Sequence, residues 1–279
     1  MFTTREQQEI DNANSSGRTP VVFIHGLWLL AESWKPWRDF FEEQGFATLA
    51  PGWPDDPETV EEAKADPDVF ADKSLKEITD HYQEVIAALD HKPILIGHSF
   101  GGLITQKLAG RSLATVSVVI SPAPFRGVLP LPLPALRSSF PVLGNPLNRT
   151  RAVGLSYDQF RYAFGNEVTE DEARDLYEAH SVAGAGRPVF EAATANINPG
   201  TDASVDTHNA HRGPLLIISA DQDHTVPAAI AKATYKRYSK NPSLTEIVEM
   251  TGRGHSLAMD SGWREVADTA LAFVRRFQS

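Results

Sequence analysis

Short runs of apolar, often β-branched residues alternate along the chain with longer segments in which apolar residues recur every three or four positions. The short runs are apolar nearly throughout, which is typical of strands that are covered on both faces. The longer segments predict amphipathic helices between those strands. This alternation predicts an α/β fold, a mostly parallel sheet with helices on both faces. The predicted strands are residues 21–24, 46–49, 93–96, 116–120, 215–219 and 244–248.

Polar residues at the predicted helix starts support the helical reading. Ser74 and Glu77 have the spacing of a capping box, and an apolar stripe from Leu75 to Leu89 follows them. The last predicted helix carries a similar stripe from Trp263 to Phe277.

Residues 122–213 break the alternation of strands and helices. No strand is predicted there, and residues 122–146 hold seven of the nineteen prolines of the chain. Two helices are predicted near residues 157 and 170, each preceded by a capping pair. The aromatic and leucine content is too high for a solvated linker. We therefore predict an α/β core of residues 1–121 and 214–279, interrupted by a helical cap of residues 122–213.

The composition of the chain excludes several kinds of functional site and argues against one kind of partner. The chain has no cysteine, which excludes a thiolate nucleophile, an iron–sulfur cluster and a Cys-ligated zinc site. Its formal net charge of −10 argues against a nucleic-acid partner. Residues 55–68 hold seven acids and one lysine; we predict an exposed loop, with a metal or partner site as the alternative.

Targeting and membrane segments are not predicted. Residues 1–20 lack the apolar core of a secretory signal. The longest apolar stretch, residues 21–31, is about half of a membrane span. We expect a cytoplasmic protein without membrane insertion.

Residues 97–102, GHSFGG, carry the candidate nucleophile. They follow a predicted strand and open a helix, which is the context that the G-x-S-x-G nucleophile elbow requires. A sharp turn of this kind strains the backbone of Ser99 and leaves no room for side chains at Gly97 and Gly101. Ser99 is therefore predicted to be a nucleophile. Its neighbour His98 is predicted to pack inside the elbow.

A nucleophilic serine needs a base, and the base needs an orienting carboxylate. Asp223 follows the predicted strand 215–219, and His255 follows the strand 244–248. All three candidates thus leave the same carboxyl edge of a parallel sheet, where such folds place their sites. Asp221 remains a rival for the role of Asp223.

The chain resembles the α/β-hydrolase fold family, particularly bacterial esterases and cofactor-free haloperoxidase-like hydrolases. The resemblance covers about residues 20–122 and 213–279 and rests on residues 25–28 (HGLW), 97–102 (GHSFGG), 223–227 (DHTVP) and 254–255 (GH). It implies that Ser99 is the nucleophile, His255 the base and acid, and Asp223 its partner. It also implies an oxyanion hole made by the backbone N–H groups of Leu27 and Phe100. The family begins with an antiparallel hairpin, for which residues 2–10 are too polar.

The function expected from these residues is hydrolysis of moderately hydrophobic carboxylic esters, including lactones, through an acyl-enzyme on Ser99. Trp28, Leu129 and Phe125 are predicted to bind this small-molecule substrate, because the leucine–proline segment and its aromatic neighbours suit an apolar pocket. The chemistry needs no cofactor and no metal. The alternatives are thioester, peracid or carbon–carbon bond chemistry on the same residues, or a non-catalytic ligand receptor. The oligomeric state is not predicted.

Overall fold

The computed structural model describes residues 2–278. A parallel sheet lies at the centre of the fold. The strands are β1 (Pro20–Ile24), β2 (Ala47–Leu49), β3 (Ile94–His98), β4 (Ser117–Ile120), β7 (Leu215–Ala220) and β8 (Thr245–Met250), with a separate antiparallel pair of β5 (Ala152–Val153) and β6 (Gly184–Ala185). Among the described residues the sheet has six strands in the order β2-β1-β3-β4-β7-β8, and every neighbouring pair is parallel. The α/β prediction is confirmed, and each predicted strand is found with its ends shifted by no more than two residues.

Helices cover both faces of the sheet because its strands are apolar on both sides. The helices are α1 (Thr4–Ser16), α2 (Lys35–Glu43), α3 (Val60–Ala65), α4 (Leu75–Ala87), α5 (Phe100–Gly110), α6 (Leu133–Leu143), α7 (Tyr157–Ala163), α8 (Glu170–His180), α9 (Gly186–Ala193), α10 (Ala228–Arg237) and α11 (Trp263–Arg275). Val21, Phe23 and Ile96 pack toward the layer of α2 and α11, whereas Val22 and Leu95 pack toward α4, α5 and α10.

The predicted capping box of α4 is present. The Ser74 hydroxyl accepts from the backbone N–H of Glu77, and the Glu77 carboxylate accepts from the backbone N–H of Ser74. These bonds satisfy N–H groups that a helix start leaves without partners.

The N-terminal segment forms α1 in place of a hairpin. Thr3 and Glu6 close a capping box at its start. The buried Glu9 carboxylate accepts from Arg38 at 2.7 Å and from the backbone N–H of Ala50 at 3.0 Å. The polar residues that argue against a hairpin therefore form a helix, and Glu9 bonds this helix to α2 and to the segment that follows β2.

Residues 122–213 lie between β4 and β7 and contain α6 to α9. They also contain the β5–β6 pair, so the expectation of no strand in this segment is wrong. Each of these strands has two residues, too few to leave an alternating pattern in the sequence. The division of the chain into a core and a cap stays a prediction.

Candidate active site

Ser99 lies at the turn between β3 and α5. Its φ of 56° is in the left-handed region, which strains a residue with a side chain. A Cβ at Gly97 would overlap the backbone of Gly101, and a Cβ at Gly101 would overlap the backbone of Ile24. The two glycines therefore let α5 start close to β1 and β3, and the turn holds Ser99 at the carboxyl edge of the sheet.

The structure brings Ser99, His255 and Asp223 into one hydrogen-bonded chain. His255 Nε2 lies 3.0 Å from Ser99 Oγ, and His255 Nδ1 lies 2.7 Å from Asp223 Oδ2. An ionised carboxylate can only accept, so Nδ1 carries the proton and the lone pair on Nε2 faces the Ser99 hydroxyl. This arrangement can take a proton from Ser99 Oγ.

Asp223 is held as an anion in the interior. Burial acts to raise the pKa of its carboxyl group, but the adjacent His255 ring and the backbone N–H of Val226 outweigh burial and hold the pKa below its ordinary value. Oδ1 accepts from the N–H groups of Thr225 and Val226 at 2.8 and 2.7 Å. Both carboxylate oxygens are thus occupied, and the side chain is fixed toward His255.

Asp221, the rival acid, faces a different partner. Its Oδ1 accepts from the backbone N–H of Gly252 at 2.8 Å. The backbone N–H of Gln222 also donates to the carbonyl of Arg253 at 3.1 Å. These bonds join the loop that carries Asp223 to the loop that carries His255.

Two rings enclose the imidazole of His255. Phe164 lies edge-on at 4.8 Å between ring centroids, and His98 lies at 4.7 Å. Sequence reasoning did not connect Phe164 with the site, because its approach depends on the path of residues 122–213 over the sheet. The enclosed imidazole has 0% exposure.

His98 points away from Ser99 and serves the elbow, as its position in the turn predicts. Its Nε2–H donates to the backbone carbonyl of His255 at 2.9 Å. Burial and then the neighbouring His255 lower the pKa of His98 to about 3. His98 therefore stays neutral at physiological pH and ties the loop of His255 to β3.

We expect the free energy of unfolding to fall more steeply for the native protein than for His98→Gln when the pH drops from about 7 to about 5. The pKa of His98 is depressed in the folded state, so below its ordinary value of 6.5 the unfolded chain binds the extra proton. Stability is therefore present above pH 6.5 and is lost as the pH falls toward 3. Denaturant unfolding at several pH values gives both slopes, and equal slopes would contradict a neutral, buried His98.

The loop after β1 approaches Ser99 closely. A Cβ at Gly26 would lie 2.9 Å from the Cβ of Ser99. The two predicted oxyanion donors, the N–H groups of Leu27 and Phe100, flank this contact. Within residues 2–278 neither N–H group donates to a backbone carbonyl. The N–H of Phe100 is also the first of α5, where the helix dipole favours negative charge.

Trp28 fastens that loop to residues 122–213. Its φ of 67° is strained, and its indole N–H donates to the carbonyl of Val153 in β5 at 2.9 Å. Its own carbonyl accepts from the N–H of Val182 at 3.1 Å. Val153 in β5 and Val182, just before β6, therefore hold the conformation of the loop that contains Leu27.

His25 and Asp56 support the same loop from beneath. His25 Nδ1 donates to the carbonyl of Gly26 at 2.9 Å, and His25 Nε2 lies 3.1 Å from Asp56 Oδ2. The Asp56 side chain is 5% exposed and also accepts from the backbone N–H of Trp53. Most of residues 55–68 are exposed, as predicted, but the segment is not a continuous loop, because Asp56 turns inward and residues 60–65 form α3. Among residues 2–278, no three acidic or histidine side chains are grouped to hold a metal ion.

A cavity of about 150 Å³ has Ser99 in its wall. Its other walls come from the loop after β1, residues 123–131, α6, α9 and the start of α10, and no described residue that lines it is charged. A wider surface groove of about 440 Å³ lies elsewhere, among Arg5, Arg38 and Glu42, and does not reach Ser99. The small cavity is therefore the one that can bring an uncharged group to Ser99.

One of the three predicted substrate-binding residues lines this cavity, and two do not. Trp28 lines it. Phe125 is 1% exposed and packs in the core against Tyr238. Leu129 is 73% exposed, and Leu131 from the same leucine–proline segment lines the cavity instead. Leu129 and Leu131 are both largely exposed, and the sequence pattern alone did not show which of them also reaches the cavity.

Several solved structures are similar to this one, and three of them carry the names of hydrolases. A monoacylglycerol lipase from Paleococcus ferrophilus is 19% identical, with a TM-score of 0.64 over 93% of this chain and 95% of that chain. An extracellular alpha/beta-hydrolase from a Paenibacillus species is 16% identical, with a TM-score of 0.66 over 91% and 98%. A methylesterase from Arabidopsis is 14% identical, with a TM-score of 0.63 over 92% and 99%. At these identities the likeness shows the fold.

A family model supplies the evidence from sequence. No curated protein matches the chain. The model of the alpha/beta hydrolase family matches residues 21–269, which include Ser99, Asp223 and His255. This match spans well over half of the chain, and the protein belongs to the alpha/beta hydrolase family.

Proposed function

We propose that this protein hydrolyses carboxylic esters through a covalent acyl-enzyme on Ser99. The observation that carries the proposal is the continuous hydrogen-bonded chain from Asp223 through His255 to Ser99, ending at an uncharged cavity. Such a chain converts a weakly nucleophilic hydroxyl into one that can attack a carbonyl carbon.

The first half of the reaction transfers the acyl group to the enzyme. Ser99 Oγ bonds to the ester carbonyl carbon while its proton moves to Nε2 of His255, 3.0 Å away. The tetrahedral oxyanion accepts from the N–H groups of Leu27 and Phe100. His255 then gives its proton to the departing alcohol as the carbon–oxygen bond breaks.

The second half returns the enzyme to its starting state. His255 takes a proton from a water molecule, whose oxygen bonds to the acyl carbon. The bond to Ser99 Oγ breaks, His255 protonates Oγ, and the carboxylic acid leaves. Asp223 stays ionised throughout and holds the imidazolium that forms twice in the cycle.

The cavity favours a modest, uncharged acyl or alcohol group. Its walls include Leu131, Leu136 and Val189 and no described charged residue. A charged substrate group would lose its hydration there without a partner, which is costly. Short to medium esters and lactones fit these walls better than anionic substrates.

A panel of chromogenic esters, lactones and thioesters tests the proposal on the purified protein. We expect the highest kcat/KM on uncharged esters of short to medium length. Turnover confined to thioesters, or none on any member of the panel, would overturn the proposed reaction.

Trp28→Phe is expected to lower kcat for a small ester about two- to tenfold, the effect of one lost hydrogen bond. The phenyl ring keeps most of the apolar contact, whereas the bond to the Val153 carbonyl is lost and the strained loop loosens. KM should change less than kcat, because the loop presents an oxyanion donor. Trp263→Phe, a half-buried tryptophan on α11, is the matched control and should leave kcat unchanged. Equal kcat values for both variants would rule out this positioning role.

A further inference from the structure

Large apolar side chains are exposed mainly in one place. Eleven such side chains are exposed among the described residues, and six of them lie between residues 129 and 147, with exposures from 37% to 80%. We call this surface the apolar cap face. It consists of Leu129, Leu131, Leu133, Leu136, Phe140 and Leu147.

Helix α6 exposes large apolar side chains to solvent and buries a polar one. Leu133, Leu136 and Phe140 recur at helical spacing on its outer face. On the inner side, Ser138 and Val142 are buried, and the Ser138 hydroxyl donates to the carbonyl of His224 at 3.0 Å. A serine that faces inward and leucines that face outward indicate that the outer face meets an apolar partner.

The apolar cap face is continuous with the candidate active site. Leu131 and Leu136 belong to this face and also line the cavity that contains Ser99. An apolar molecule leaving a partner at this face would thus reach Ser99 without crossing a charged surface.

The charge around the face is opposite to that of the whole chain. Residues 122–157 contain four arginines and no acid, although the chain has a net charge of −10. The arginines, 126, 137, 149 and 151, are all exposed. One acid, Asp158, lies in the groove beside Arg137 and Phe140. Leucines flanked by arginines complement a surface that is apolar inside and anionic at its edge.

We propose that the apolar cap face docks peripherally on an anionic lipid surface. The leucines and Phe140 enter the boundary between headgroups and acyl chains, and Arg137, Arg149 and Arg151 meet the lipid phosphates. Among residues 2–278 no helix is long and apolar enough to cross a bilayer. Delivery of esters from this surface to Ser99 rests on the proposed hydrolase function, whereas the docking itself does not.

Vesicle co-sedimentation tests the docking on the full chain carrying Ser99→Ala, so that hydrolysis plays no part in the result. The probes are phosphatidylcholine vesicles with and without phosphatidylglycerol. We expect stronger binding to the anionic vesicles, weakened by salt. Leu133→Ser/Phe140→Ser/Leu147→Ser, none of which lines the cavity, should reduce binding on the order of tenfold. Arg137→Gln/Arg149→Gln/Arg151→Gln should remove the preference for phosphatidylglycerol.

The matched control is Leu244→Ser/Phe277→Ser, two exposed apolar residues outside the face, which should bind vesicles as the parent does. Absence of vesicle binding by the parent, or equal binding by the Leu133/Phe140/Leu147 variant, would overturn the proposal. Light scattering of the lipid-free protein tests the alternative that a second copy of the chain covers this face. A dimer that this variant abolishes would assign the face to a second copy of the chain and would also overturn lipid docking.

Discussion

Ser99→Ala is expected to lower kcat/KM for a chromogenic ester by about 10⁴-fold or more. The substitution removes the atom that forms the acyl-enzyme and leaves His255 Nε2 without its 3.0 Å partner. The fold should persist, because a single lost hydrogen bond costs about 1 kcal/mol. Initial rates of chromophore release, with circular dichroism and Tm as checks on folding, measure the effect.

Ser139→Ala is the matched control for this loss. Ser139 lines the same cavity, but its hydroxyl donates to the carbonyl of Ala135 within α6 and does not face His255. Its removal should change kcat/KM only a few-fold. A Ser99→Ala protein that keeps its esterase activity would remove Ser99 from the reaction.

Asp223→Asn is expected to lower kcat by about 10⁴-fold. Asparagine can still accept from the N–H groups of Thr225 and Val226, so the loop keeps its shape. Its amide N–H, however, points a donor at His255 Nδ1, which moves the ring proton to Nε2. A protonated Nε2 cannot accept the proton of Ser99. Steady-state kinetics on the variant measures the loss.

Asp221→Asn separates this effect from general damage to the loop. The amide oxygen of asparagine can replace the carboxylate oxygen that accepts from Gly252, so kcat should fall only a few-fold. Equal losses of kcat in the Asp221 and Asp223 variants would contradict the assigned roles.

The pKa of the Asp223 carboxyl is lowered in the folded state. Its contribution to the free energy of unfolding is therefore present above the ordinary pKa of an aspartate and is lost as the pH falls through the folded-state pKa.

The sequence predicts which residues lie at the carboxyl edge of the sheet, because parallel strands all end at that edge. Ser99, Asp223 and His255 each follow a strand, β3, β7 and β8, that the apolar runs predict. This topology predicts that they lie near one another, although Ser99 and His255 are 156 residues apart along the chain. The strain at Ser99 and the tight glycines follow from the same local pattern.

Contacts that depend on the path of the chain outside the sheet were not predictable from the sequence. Asp56 lies in a run of acids, and only tertiary packing turns it beneath His25. Phe125 and Leu129 were expected in the cavity, yet one packs in the core and the other faces outward. Residues 122–213 have no repeating pattern that fixes which side chain faces Ser99, and short elements such as β5 and β6 leave no periodic signal.

Trapping of the acyl-enzyme tests the central claim most directly. The protein is mixed with an excess of a p-nitrophenyl ester, quenched in acid within the first turnover, and its intact mass and peptide map are measured. We expect one acyl group per chain, attached to Ser99, and no adduct on Ser99→Ala. Ester turnover without any adduct, or an adduct on another residue, would contradict it.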